Sequence, residues 1–158
     1  MPQFIMIGGT PYRAYITQIS DPDVQASYTF ASTAIGPAEG RSLVVVAVMA
    51  ASNLTDRTIA SVTIGGLGGL VRQDKGTIGP NVNNTMTGIA SAAGVSGTTA
   101  DIVVTSSLTF AVCSIGVYAL YNLSSTTAFA SNGAGSSSGS SVSTTLNIPQ
   151  GGIAIASA

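Results

Sequence analysis

The sequence predicts an all-β fold, an antiparallel sandwich or barrel, on three observations. Short apolar runs recur throughout the 158 residues, separated by clusters of glycine, proline and small polar residues. Several runs alternate apolar and polar side chains with the two-residue period of a strand, and helical spacing is almost absent. Charged residues are only 7% of the chain and hydrophobic ones 45%, a balance too apolar for charge-driven disorder. The length suits one domain with a two-layer core.

Strands are expected near residues 3–7, 12–19, 27–34, 42–50, 61–64, 69–73, 85–90, 99–105, 109–118, 126–130, 142–148 and 153–156. In Ser27-Tyr28-Thr29-Phe30-Ala31-Ser32 the aromatic rings share one face and the hydroxyls the other, which predicts an outer or edge strand with one wet side. Leu43-Val44-Val45-Val46-Ala47-Val48 has no polar phase, so both of its faces are expected under protein, in the central strand. Gly36-Pro37-Ala38-Glu39-Gly40, Gly65-Gly66-Leu67-Gly68-Gly69, Gly79-Pro80-Asn81 and Pro149-Gln150-Gly151-Gly152 each fall between apolar runs and are expected to turn the chain. Residues 133–141, rich in glycine and serine, are expected as a surface loop. Gly151-Gly152-Ile153-Ala154-Ile155-Ala156 starts like a core strand with little sequence after it, which predicts either a partner on its edge or a sandwich lacking its last strands.

Composition excludes several chemistries. The chain has no histidine, so Ser-His-Asp and Cys-His mechanisms are ruled out. Cys113 is the only cysteine, which rules out an intrachain disulfide and a cysteine-based zinc cage; in Phe110-Ala111-Val112-Cys113-Ser114-Ile115 it reads as a buried thiol. Five basic residues, spread singly from Arg13 to Lys75, with a net charge of −1, do not make a phosphate-binding patch, so no nucleic-acid partner is expected. The most apolar stretch, 43–51, is too short to span a bilayer as a helix, and no membrane insertion is expected.

The six acids are scattered. Asp21 and Asp23 flank Pro22 and offer oxygens of the kind that calcium takes, but each acid is read as a solvated loop or turn residue, with no cofactor and no metal. The glycines of 65–69 lack the lysine and Ser/Thr of a phosphate loop. No catalytic residue is assigned. Among the tyrosines, Tyr121, followed by Asn122 at the end of a strand-like run, is the expected exposed ligand contact. Phe4, Ile5, Met6 and Ile7 form an apolar segment ahead of the main pattern and are the expected docking residues.

Four segments together resemble accessory structural proteins of tailed phages and prophages. They are Ile35-Gly36-Pro37-Ala38-Glu39-Gly40-Arg41-Ser42-Leu43-Val44-Val45-Val46-Ala47, Ser61-Val62-Thr63-Ile64-Gly65-Gly66, Ile115-Gly116-Val117-Tyr118-Ala119-Leu120 and Ile148-Pro149-Gln150-Gly151-Gly152-Ile153-Ala154-Ile155. The resemblance spans about residues 28–158 and implies a jelly-roll-like antiparallel β-sandwich of the kind found in head decorations, head fibres and tail-fibre or spike modules. It brings no catalytic residue. The expected organisation is an N-terminal docking arm or first strands at 1–26 and the sandwich at 27–158. The expected role is a non-enzymatic virion surface protein, made in the host cytoplasm and held by capsid or tail proteins. A homo-oligomer is expected, a trimer by analogy with phage fibres and spikes. The alternative is a carbohydrate-binding or adhesin module whose partner is a host surface glycan.

Overall fold

The computed structural model describes residues 10–52, 57–77, 84–128, 130–134 and 143–157, with the backbone alone described at 70, 71, 74–77 and 84. Eight strands appear in chain order: β1 (Tyr12–Asp21), β2 (Gln25–Ala34), β3 (Arg41–Ser52), β4 (Ile59–Ile64), β5 (Gly69–Thr77), β6 (Asn84–Ala92), β7 (Thr99–Phe110) and β8 (Val112–Tyr121). No described residue is helical. The strands form two antiparallel sheets, ordered β1-β8-β3-β6-β5 and β2-β7-β4, packed face to face as a β-sandwich.

The pairings are nested. β1 lies against β8, β2 against β7 and β3 against β6, so the chain winds inward from both ends of the pattern in jelly-roll fashion. The innermost pair departs from full nesting: β5 joins the free side of β6 in the larger sheet, and β4 closes the smaller one against β7. The corner between β4 and β5 is a tight turn in which Ile64 and Leu67 exchange backbone hydrogen bonds, at 2.8 and 3.1 Å. Gly65 (φ 59°) and Gly66 (φ 75°) both sit in the left-handed region that this turn demands.

The alternation read from the sequence fills the space between the sheets. β2 buries Tyr28 and Phe30 and exposes Ser27, Thr29 and Ala31, and it is an edge strand. β3 is the middle strand of the five, between β8 and β6. Val44, Val46 and Val48 face the core with Ile115 and Val117 of β8 as cross-strand partners. On its outer face Val45 is also buried, but Ala47 is half-buried and Met49 is 41% exposed, so the expected double cover thins along the strand. Burying this core supplies the main driving force for the fold.

Several expectations are corrected. The run split at 99–105 and 109–118 is one strand to Phe110 and a second from Val112, with only Ala111 between the two sheets. Within the longer strand the buried Ser106 hydroxyl is satisfied by backbone oxygens, with Ala26 O at 3.0 Å. Among the described residues of 126–130, 142–148 and 153–156, none belongs to a strand. In the last of these and the residue after it, Ile153, Ile155 and Ser157 are half-buried and Ala154 and Ala156 exposed. Ser157 Oγ donates to Val48 O at 3.1 Å, and Ala156 and Ser157 border an open cleft of about 170 Å³ over Gln18, Ala47, Met49, Ser114, Ile115 and Gly116. The segment therefore rests on the outer face of the larger sheet, where no ladder is offered to it. Residues 3–7 lie outside the described residues.

Candidate functional site

Strand β1 is an edge. One side pairs with β8, and the other has no partner strand among the described residues. Because neighbouring residues point to opposite faces, Tyr12 and Tyr15 project on the two sides of this edge, and both are exposed, at 51% and 55%. Each is ordered by a tyrosine of β8. The Tyr12 ring stacks on Tyr121 with centroids 4.7 Å apart and planes 10° apart; Tyr15 meets Tyr118 edge-on at 5.5 Å and 64°. A register shift between Tyr15 and Thr17 places Ile16 at a bulge, just past the two aromatic positions.

Tyr121 itself is buried, 3% exposed, which corrects the expectation that it is the exposed tyrosine. Its hydroxyl donates to Pro37 O at 3.2 Å, and burial, with a smaller contribution from Tyr12, pushes its phenol above the ordinary range against a lowering by Arg41. The exposed ring at this end of the sandwich is Tyr12. No local pattern distinguishes the two, since Tyr12 and Tyr121 meet only through the β1–β8 register. Asn122 is exposed and takes φ 56°; its Nδ2 donates to Thr10 O at 3.4 Å and its backbone N–H to Gly40 O at 3.4 Å. Structure thus brings Tyr121 and Asn122 to one end of the larger sheet with Tyr12, with Tyr121 as the support and Tyr12 as the accessible surface. Phe4, Ile5, Met6 and Ile7 lie outside the described residues.

Beneath this end sits a cation that the sequence did not single out. Arg41 Nη1 donates to Ile35 O at 3.2 Å and Gly36 O at 2.7 Å, and Nη2 donates to Val95 O at 2.5 Å and Gly97 O at 2.9 Å. The guanidinium thereby ties the turn before β3 to the loop between β6 and β7. Arg57, buried, similarly donates from Nε to Thr109 O. An arginine beside a glycine-proline turn in a chain so poor in charge was the available signal for such a role.

Asp21, Asp101 and Cys113 are committed to structure. Asp21 Oδ1 accepts the Asp23 N–H at 2.9 Å and Oδ2 accepts Gln25 Nε2 at 2.7 Å, closing the turn into β2. Asp101 Oδ1 accepts the Ser32 N–H at 2.8 Å, where Ser32 holds φ 48°. Cys113 is fully buried, and burial pushes its thiol up to about 12. Among the described residues there is no group of three or more metal-ligating side chains.

These features define an all-β, jelly-roll-like sandwich whose accessible specialised surface is an aromatic edge strand. Comparison of the chain with protein-family models, with curated proteins and with solved structures found no match.

Proposed function

We propose that this chain is a non-enzymatic structural protein of a tailed-phage particle, a capsid decoration, head fibre or tail-fibre or spike component, displayed on the virion surface and held by protein contacts. The observation that carries the reading is the β1 edge. Tyrosine and arginine are residues that anchor protein interfaces, and here Tyr12, Arg13 and Tyr15 are exposed on a strand whose outer side has no partner among the described residues, with the two tyrosines held by rings of β8. Preordered rings lose little freedom on docking, so the edge is suited to binding a capsid or tail protein or a second copy of the chain. The resemblance in the β3, β4 and β8 segments supports the phage setting, and analogy with fibres and spikes favours a trimer.

To test this, particles lacking the protein are supplied with the parent chain or with Tyr12→Ala, Tyr15→Ala and the double variant, and incorporation and mass in solution are measured. The parent is expected to incorporate and to form an oligomer, and the double variant to lose most incorporation while keeping its fold by circular dichroism. Undiminished incorporation of a folded double variant would overturn the role of this edge, and a parent that never joins particles would overturn the virion reading.

One observation favours a second reading. The Tyr12 ring is stacked on one face, half exposed, and accompanied by the exposed amide of Asn122, a combination suited to a sugar ring. A carbohydrate-binding or adhesin module would then bind host glycans through Tyr12, and glycan-array binding abolished by Tyr12→Ala but not Tyr15→Ala would favour it.

A further inference from the structure

Asn132 is the only asparagine of the sequence that precedes a glycine. It is exposed, and two hydrogen bonds define its side chain. Oδ1 accepts the N–H of Gly133 at 2.9 Å, and Nδ2 donates to Thr145 O at 2.7 Å. The first contact sets a backbone nitrogen beside the carboxamide carbon of the preceding side chain. Gly133 has no side chain to crowd that nitrogen and turns freely about its backbone bonds. A nucleophile held next to its electrophile within one chain reacts with a high effective concentration. The second contact ties residues 130–134 to the segment 143–157, which turns at residues 149–152 and belongs to no strand.

From this geometry we infer that Asn132-Gly133 is a self-deamidation site, and that its conversion unties the segment 143–157. Hydroxide removes the Gly133 amide proton, and the nitrogen lone pair attacks Asn132 Cγ after rotation about Cβ–Cγ. The bond from Cγ to Nδ2 breaks, and ammonia leaves with a proton taken from water. Water then opens the cyclic imide at either carbonyl, giving aspartate or isoaspartate. The balance is one water consumed and one ammonium released, the ammonia taking the proton of the new acid, with one negative charge gained by the protein. The product carboxylate has no hydrogen to donate, so an acceptor then faces the Thr145 carbonyl where a donor stood. The hydrogen bond of Ser157 to Val48 O holds the other end of the segment and does not depend on this reaction. Because hydroxide starts the sequence, conversion rises with pH.

The experiment follows the intact chain over time at neutral and mildly alkaline pH. Peptide mapping reads the mass increase at Asn132 and distinguishes aspartate from isoaspartate, and a free peptide spanning 128–137 serves as the control. The expected result is conversion at Asn132 that is faster at the higher pH and several-fold slower in Gly133→Ala. Hydrogen exchange over 143–157 is expected to quicken in the converted fraction and in Asn132→Asp. Persistence of the Asn132 amide in the intact chain, under conditions that convert the free peptide, would overturn the site. Unchanged exchange over 143–157 in Asn132→Asp would overturn the untying. Should Gly133→Ala fail to fold, the parent time course and Asn132→Asp still decide both points.

Discussion

The hydroxyl of Tyr121 occupies the space that a side chain on Gly36 would take: a Cβ built there would stand 2.8 Å from Tyr121 Oη and 3.0 Å from Ile16 Cδ1. Gly36 also holds φ 80°, and its carbonyl accepts from Arg41. Gly36→Ala therefore combines backbone strain with a collision against a buried ring. It is expected to cost about 1–3 kcal/mol, read as a lower denaturant midpoint. The same variant is expected to weaken Tyr12 stacking, seen as a change in near-ultraviolet circular dichroism.

Arg41→Lys is expected to destabilise the chain although the charge is kept. A lysine ammonium is a single point and does not reproduce the fork that reaches carbonyls on two separate loops. Leaving those carbonyls without their donor is expected to cost about 2 kcal/mol, measured by urea unfolding. Arg41→Met is expected to cost more.

Tyr28→Phe tests a buried hydroxyl. Tyr28 Oη lies 2.9 Å from both Asp23 O and Phe110 O and shares its proton between them, joining the β1–β2 turn to the end of β7. Loss of that oxygen is expected to cost about 1–2 kcal/mol, with the ring still filling its place in the core.

Alkaline pH is expected to unfold the chain through Cys113 and Tyr28. Burial is the largest cause in both, raising the thiol from 9.0 to about 12 and the Tyr28 phenol above 10.0. Both groups stay protonated in the fold while the unfolded chain ionises first. Their contribution is thus fully present below pH 9 and is lost as pH rises, for Cys113 between about 9 and 12. Stability measured across this window is expected to fall, and Cys113→Ala is expected to flatten the fall while lowering stability at neutral pH. Reaction of the parent thiol with a disulfide reagent is expected only as fast as the core opens.

Hydrogen exchange along Leu43 to Val48 is expected to be among the slowest in the chain. Its amides lie in ladders to β8 and β6 and open only with the core. Residues 143–157, which belong to no ladder, are expected to exchange faster than this strand.

Fold class was legible where alternation coincided with a ladder, as in Ser27 to Ala34, and where an uninterrupted apolar run marked the middle strand, as in the valines of β3. The same two-residue period misled at Ile153 and Ile155. Alternation reports an extended chain with one covered side, and a segment resting on a sheet face satisfies it as well as a strand does. Nested pairing was legible only through the jelly-roll resemblance, because each partner lies far along the chain and local residues carry no record of it. For the same reason Tyr121 read as an exposed strand end: the ring and carbonyl that cover it come from Tyr12 and Pro37. The carbonyl contacts of Arg41 likewise depend on the β6–β7 loop, which only the closed sandwich brings near.

Nesting also fixes when the protein can fold. None of β1, β2, β3 and β4 pairs with another member of that set; their ladder partners are β6, β7 and β8. During synthesis the chain up to Ile64 thus emerges without a single pair among the described strands, and the valines of β3 wait for β6 before one side is covered. The outermost closures, β2 with β7 and β1 with β8, require the longest loops to be brought together and come at the greatest entropic cost. A nascent chain in this condition exposes unpaired edges and apolar side chains, so its yield in the cell depends on how quickly the last three strands leave the ribosome or on holding factors that shield the first four.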